Sequence, residues 1–168
     1  MKCLEEFLHA LADADPGVRD RAAEELGKLA HPRAVDPLFH ALSDEYWRVR
    51  DSAAWALGEI GDPRAGDALL ALLDDPAGDV QQTVRHALTK LRDTRLIPRL
   101  IQELSHQEEW VRFESALLLA EIGDQSAIAP LEILAHTHTN VRRDVDVRKT
   151  AREAAERIRS RYEGTHRR

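Results

Sequence analysis

Apolar residues in this chain recur at a spacing of 31 positions. Within each 31-residue unit they fall into two helical patterns. The first is short and apolar at i, i+3 and i+7. Phe7, Leu38, Leu69, Leu100 and Leu131 form its central column. Leu4, Val35, Ile97 and Ile128 precede them, with Gly66 as the exception. Leu11, Leu42, Leu73 and Leu104 follow, with Ala135 last. That spacing is one face of a helix. The second pattern opens on Val-Arg and closes on Leu-Gly. Val18, Ala22, Leu26 and Leu29 make its stripe at i, i+4, i+8 and i+11. Val49, Val80 and Val111 continue the first column of that stripe. Leu57, Leu88 and Leu119 continue the third, and Ile60, Leu91 and Ile122 the last. Ala23, Ala54 and Ala116 lie beside it, small enough to let neighbouring helices approach. The pattern therefore predicts a core seam built from these columns, with no strand anywhere.

The punctuation agrees. Asp62, Asp93 and Asp124 stand where a cap should open each first helix, and Pro63 follows as a first-turn proline. His31-Pro32 is a weaker version of the same junction. Asp13, Asp44 and Asp75 recur in the turns between helices. Gly61 and Gly123 are placed to close second helices as left-handed caps. Units then run about 1–30, 31–61, 62–92, 93–123 and 124–162, with a tail at 163–168, and form one repeat domain over 1–168. Each unit contacts mainly its neighbours, so a terminal unit should turn a polar face outward. The last one does: Arg152 takes the place of the contact alanine, and Glu132 replaces a column of Leu8, Phe39, Leu70 and Ile101.

Three stretches carry a family resemblance. They are Val18-Arg19-Asp20-Arg21-Ala22-Ala23-Glu24-Glu25-Leu26-Gly27, Val49 through Ala65, and a looser copy from Val111-Arg112 to Gly123-Asp124. The pattern resembles the HEAT repeat family, in the short form of phycobilisome-lyase-like proteins. The resemblance implies an all-α fold, a right-handed α-α superhelix (a HEAT-like solenoid) of about five two-helix repeats. It places the short helices on the convex side and the Val-Arg helices on the concave side. It implies no single function, because the family holds scaffolds, lyases and a few oxygenases.

Two places depart from the period. In the third unit Arg85 replaces the Ala23/Ala54/Ala116 column, Thr89 replaces Gly27 and Gly58, Arg92 matches Gly61 and Gly123, and Gln81 replaces Arg19, Arg50 and Arg112. Arg85 reads either as a guanidinium snorkelling to solvent or as a possible contact for a carboxylate or phosphate of a partner. The last repeat step is 36 residues instead of 31. The extra five lie within 136–146, a stretch that holds His136, His138, Asp144 and Asp146. These are suitable ligand types, but a His-x-His without a second anchored pair is common by accident, so no metal site is assigned.

The aromatic residues break the columns most sharply. Trp47, Trp55 and Trp110 belong to none of the core columns. Most of their counterparts in other units are polar or small, among them Pro16, Gly78, Glu24, His86, Gly17 and Asp79. Such positions face water, so the indoles read as exposed contact residues. Other columns of the second helices also vary: Asp20, Asp51, Gln82, Phe113; Arg21, Ser52, Thr83, Glu114; Glu24, Trp55, His86, Leu117. Trp47, Arg48, Trp55, His86, Trp110, Phe113 and Leu117 are accordingly the candidate partner-binding residues. The structural alternative has Trp55 and Leu117 packing over neighbouring helices. Arg19, Arg50 and Arg112, repeated once per unit beside the turn aspartates, read instead as a structural ladder.

Charge narrows the partner. Fourteen Lys/Arg face twenty-five Asp/Glu up to residue 135, and ten face five after it. An acidic body suits a phosphate backbone poorly. Only Arg142, Arg143, Arg148, Lys149, Arg152, Arg157, Arg159 and Arg161 could serve nucleic acid. A protein or peptide partner is the expectation, with nucleic acid and membrane disfavoured and the oligomeric state open. One cysteine, Cys3, provides no disulfide framework and fits a reducing compartment. With no signal-peptide-like or spanning stretch, a soluble cytoplasmic protein is expected.

No catalytic residues emerge. Gly-rich phosphate loops and paired cysteines are missing from the sequence, and no His is followed by Glu, as it is in the family's di-iron hydroxylases. No cofactor is assigned. The expectation is a non-enzymatic scaffold or adaptor. A bilin- or tetrapyrrole-binding lyase-type protein is the first alternative, and nucleic-acid contact through the basic C-terminal helix the second.

Overall fold

The computed structural model describes residues 4–136 and 144–163. Among them are ten α-helices and no strand, an all-α solenoid of five helix pairs. The chain divides into two compact units, Met1–Asp93 and Thr94–Arg168. The first holds α1 (Leu4–Ala10), α2 (Pro16–Leu29), α3 (Val35–Ala41), α4 (Trp47–Ile60), α5 (Ala65–Leu70) and α6 (Gly78–Lys90). The second holds α7 (Ile97–Glu103), α8 (Glu109–Ile122), α9 (Ile128–His136) and α10 (Asp144–Glu163). No helix of the described residues is long and apolar enough to cross a membrane.

In the first unit α2, α4 and α6 pack side by side in one layer, and α1, α3 and α5 each lie on their own second helix. In the second unit α7 lies on α8, and α10 packs against both α8 and α9. The seam follows the columns. Leu38, Leu69, Leu100 and Leu131 are closed to solvent, as are Leu26, Leu57, Leu88 and Leu119. Each such leucine contributes about 2 kcal/mol by leaving water. Ala23, Ala54 and Ala116 are fully buried at the helix contacts.

The arginine ladder is present and offset by one repeat. Arg19 Nε and Nη2 donate to the Asp44 carboxylate of the next turn at 2.7 and 2.8 Å, while Nη1 donates to the carbonyl of Asp13 in its own turn at 2.9 Å. Arg50 does the same, with Asp75 at 2.8 Å twice and the Asp44 carbonyl at 2.8 Å. The aspartates also accept the backbone N–H two residues on, Tyr46 N and Ala77 N, each at 2.9 Å. One fork thus ties a helix start to two successive turns. The bidentate arginine holds the carboxyls of Asp44 and Asp75 below the usual carboxylate range. Gln81, which stands in the arginine's place, keeps only the local half, donating to the Asp75 carbonyl at 2.7 Å.

Three expectations need correction. Of the column Leu29, Ile60, Leu91 and Ile122 only Ile122 is buried; Ile60 and Leu91 are half-buried, and Leu29, at the end of α2 with no repeat before it among the described residues, is exposed. Gly123 is not a left-handed cap: its φ is −58°, whereas Gly61 has φ 74°. Gly123 is small because the chain is crowded there. An added Cβ would stand 2.4 Å from the Leu119 carbonyl oxygen and 2.8 Å from Ile158 Cδ1. Arg85 does not snorkel. Its side chain is 3% exposed, so it offers no open cation to a partner's carboxylate or phosphate. Thr89 Oγ1 donates to its carbonyl at 2.9 Å.

Candidate functional site

Most of the exposed large apolar residues lie on second helices or at their starts, with Ile133 on α9 the exception. In the second unit α8 carries two apolar sides, with Glu109, Arg112, Glu114, Ser115 and Glu121 among them. One face, with Val111, Ala116 and Leu119, faces the core. Trp110, Phe113 and Leu117 occupy another at i, i+3 and i+7, and they are 51%, 36% and 44% exposed. Residues so spaced share one side of a helix. A helix in water normally keeps one apolar stripe, not two. The covered-over alternative therefore fails for Leu117.

In the first unit Trp47 opens α4 and is 38% exposed. Arg48, also exposed, places its guanidinium 5.4 Å from the Trp47 ring. Tyr46, exposed just before the helix, carries Arg19 in the same way at 5.7 Å. A cavity of about 300 Å³ lies between the starts of α2 and α4, lined by Pro16, Gly17, Asp20, Tyr46, Trp47, Arg48 and Val49. His86 is exposed on α6, its Nδ1 3.0 Å from the Gln82 carbonyl. Trp55 behaves differently. Its indole is half-buried and lies over α2, where Gly27 leaves room for it.

Carboxylates line the same layer. Asp20 accepts a hydrogen bond from Ser52 Oγ at 2.5 Å. Asp51 sits one turn below Trp47, with its Oδ1 buried and without a hydrogen-bond partner. Burial pushes the Asp51 carboxyl up from its ordinary value. A hydrogen bond with Thr83 opposes that shift, and the charges of Asp79 and Asp20 reinforce it.

The basic C-terminal helix is partly engaged. Arg161 donates to the carbonyls of Glu121, Ala120 and Gly123 at 2.6, 3.3 and 3.1 Å. It thereby serves the open carbonyls at the end of α8. Arg159 pairs with Glu132. Arg142, Arg143, His138 and Cys3 lie outside the described residues. So does the side chain of Asp144, and with it half of the ligand set His136, His138, Asp144 and Asp146. His136 is described, its Nδ1 2.7 Å from the Glu132 carbonyl. Among the described residues no group of three potential ligands could hold a metal ion.

Two features were not anticipated. Tyr46 corresponds in sequence to Asp15, Ala77 and Glu108 of the other repeats, so the test that singled out the tryptophans also applies to it. Ile133, 71% exposed on α9, borders a cavity of about 540 Å³ in the second unit, walled by Ile101, Leu104, Pro130, Leu134 and Val147. Its counterparts are Gln102, Ala71, His40 and His9, so the same contrast with the column applies to it.

The chain matches the model of HEAT repeats over residues 4–89 and 67–156. No curated protein matches it. Among solved structures it is similar to the complex of CpcE and CpcF of phycocyanin lyase from Nostoc sp. PCC7120, with 25% identity and a TM-score of 0.76. That match covers 95% of this chain and 66% of the other, so the chain spans just under two thirds of its neighbour's length. A designed armadillo repeat protein in complex with peptide (KR)4 shares the fold at 22% identity and a TM-score of 0.70, over 92% of this chain and 81% of that one. An engineered protein does so at 21% identity and a TM-score of 0.63, over 95% and 98%.

Proposed function

This chain belongs to the HEAT repeat family, and we propose that it works as a non-enzymatic interaction module whose second helices bind a protein or peptide segment. The observation that carries this reading is the second apolar stripe on α8. Trp110, Phe113 and Leu117 leave a contiguous apolar side in water on a helix whose other side already fills the core. Such a surface is stabilised by a partner that covers it, and large aromatic side chains supply most of the energy of such contacts. Trp47, Arg48 and His86 add exposed, chemically varied positions on α4 and α6. Trp55, held over Gly27, contributes only its uncovered edge. Solved relatives of the fold include an assembly of two chains and a peptide complex.

The test is capture of binding proteins from the producing cells by the native chain and by Trp47→Ala, Trp110→Ala and Phe113→Ala variants. Each variant should keep its helical circular dichroism and lose recovery of the same protein. Equal recovery by all of them would remove the reading.

A second reading, a tetrapyrrole-handling protein, draws on the similarity to the phycocyanin lyase complex and on the largely apolar cavity of the second unit. Its volume falls in the range of small-molecule sites. Addition of a bilin should then shift the pigment's absorbance and quench tryptophan fluorescence. An unchanged spectrum at micromolar pigment excludes it.

A further inference from the structure

Four aspartates of the first unit, Asp36, Asp44, Asp62 and Asp75, each hold an arginine of their own chain. Asp20, Asp51 and Asp79 do not: among the described residues none of the three forms an ion pair. Asp20 has a serine hydroxyl, and Asp51 has Thr83 and a buried oxygen with no partner. These carboxylates lie on α2, α4 and α6, around the exposed Trp47.

The cavity between α2 and α4 joins this charge to two aromatic rings. Tyr46, Trp47 and Asp20 line it, together with the chain's own Arg48. Both rings already stack a guanidinium of the chain itself, at 5.7 and 5.4 Å. The ring faces and the Asp20 carboxylate both favour a planar cation, and a guanidinium that enters takes the place Arg48 holds on Trp47. A guanidinium suits that combination better than an ammonium. It is flat, it stacks, and its fork donates two parallel hydrogen bonds to one carboxylate.

Resting on the interaction reading above, we propose that the notch takes an arginine side chain of a basic, extended segment of the partner protein. Trp47 stacks on the guanidinium and the Asp20 carboxylate accepts its N–H groups. Asp51 and Asp79, on the adjoining helices, favour a second basic residue farther along the segment. The volume of about 300 Å³ accommodates a side chain and not a folded domain. The acid excess up to residue 135 draws such a segment in from a distance.

The test is a tryptophan-fluorescence titration at low salt with a capped octapeptide of alternating lysine and arginine, raised to about 1 mM, the weak end of specific binding. A capped octapeptide of glutamates serves as the reverse-charge control. The basic peptide should bind and the acidic one should not. Trp47→Ala, followed through the remaining tryptophans, and Asp20→Asn should each weaken binding about tenfold or more. Asp36→Asn removes the same charge from α3 and should leave it nearly unchanged, while Trp47→Phe should restore part of the loss. Equal weakening by Asp36→Asn and Asp20→Asn would mean unspecific attraction and would overturn the proposal. So would absent binding. If partner capture still depends on Trp110 and Phe113 while the basic peptide fails, the interaction reading stands and only the arginine notch falls.

Discussion

The Trp55 indole rests against Gly27, a position of α2 that has no side chain. A Cβ added at Gly27 would stand 2.5 Å from Trp55 Cζ3, and 2.8 Å from the Cα of Ala56. The ring edge can shift a little, but the backbone of α4 cannot without moving the helix. Gly27 therefore sets the distance between the first two second helices, and Trp55 covers the gap.

Gly27→Ala should destabilise the fold by about 1–2 kcal/mol. Better helix propensity returns up to about 1 kcal/mol, and overpacking removes about 1–3 kcal/mol. Gly58→Ala should behave alike, since its Cβ would meet Ala87 Cα and Cβ at 2.9 Å each. Gly78 has nothing within 4 Å, so Gly78→Ala should be neutral or gain a few tenths of a kcal/mol. Urea unfolding of the three variants checks the order.

The helix ends make a second prediction. Ala30 and Arg92 sit at φ 47° and 54°, in the left-handed region that Gly61 occupies at φ 74°. An L side chain there is disfavoured by about 1 kcal/mol. Ala30→Gly and Arg92→Gly should each raise stability by about 0.5–1 kcal/mol, and Gly61→Ala should lower it by a similar amount. Differential scanning calorimetry separates the three.

Two aspartates should give opposite pH slopes. Asp75 has its carboxyl lowered by the Arg50 fork. Its contribution is present above the ordinary carboxylate range and is lost as pH falls through its lowered folded value. Asp75→Asn should therefore be less stable than the native chain at neutral pH and converge with it in acid. Asp51 has its carboxyl raised by burial. The native state then loses stability as pH rises from the ordinary range through the raised value. Asp51→Asn should be more stable at neutral pH, with the gain vanishing in acid. Thermal melts from acid to neutral pH, on both sides of the ordinary carboxylate range, read both slopes.

Much of this was legible in the residue pattern because a repeated stack confronts each column with the same neighbours. Leu57 and Leu88 meet like environments, and so do Arg19 and Arg50. The pattern loses its hold where that equivalence ends. Leu29 lies in the first described repeat and is exposed, while Ile122, in the same column, is buried. Gly61 and Gly123 look alike in sequence, yet one relieves a left-handed turn and the other a close approach by α10. Arg161, whose guanidinium gathers the last carbonyls of α8, has no counterpart in the other units and so left no periodic trace. The exposed aromatic positions were legible by contrast with their columns. Trp55 was the exception, because the space that receives it is opened by a glycine 28 residues away.

The most direct measurement is site-directed photo-crosslinking in the cells that make the protein. A photoreactive amino acid replaces Leu117 on the exposed side of α8 in one sample and Asp67 on α5 in another. A single discrete protein adduct from position 117, and none from position 67, is the expected result. Adducts from position 67 alone, or none from 117 while the chain stays folded, would contradict the claim that the second helices carry the recognition surface.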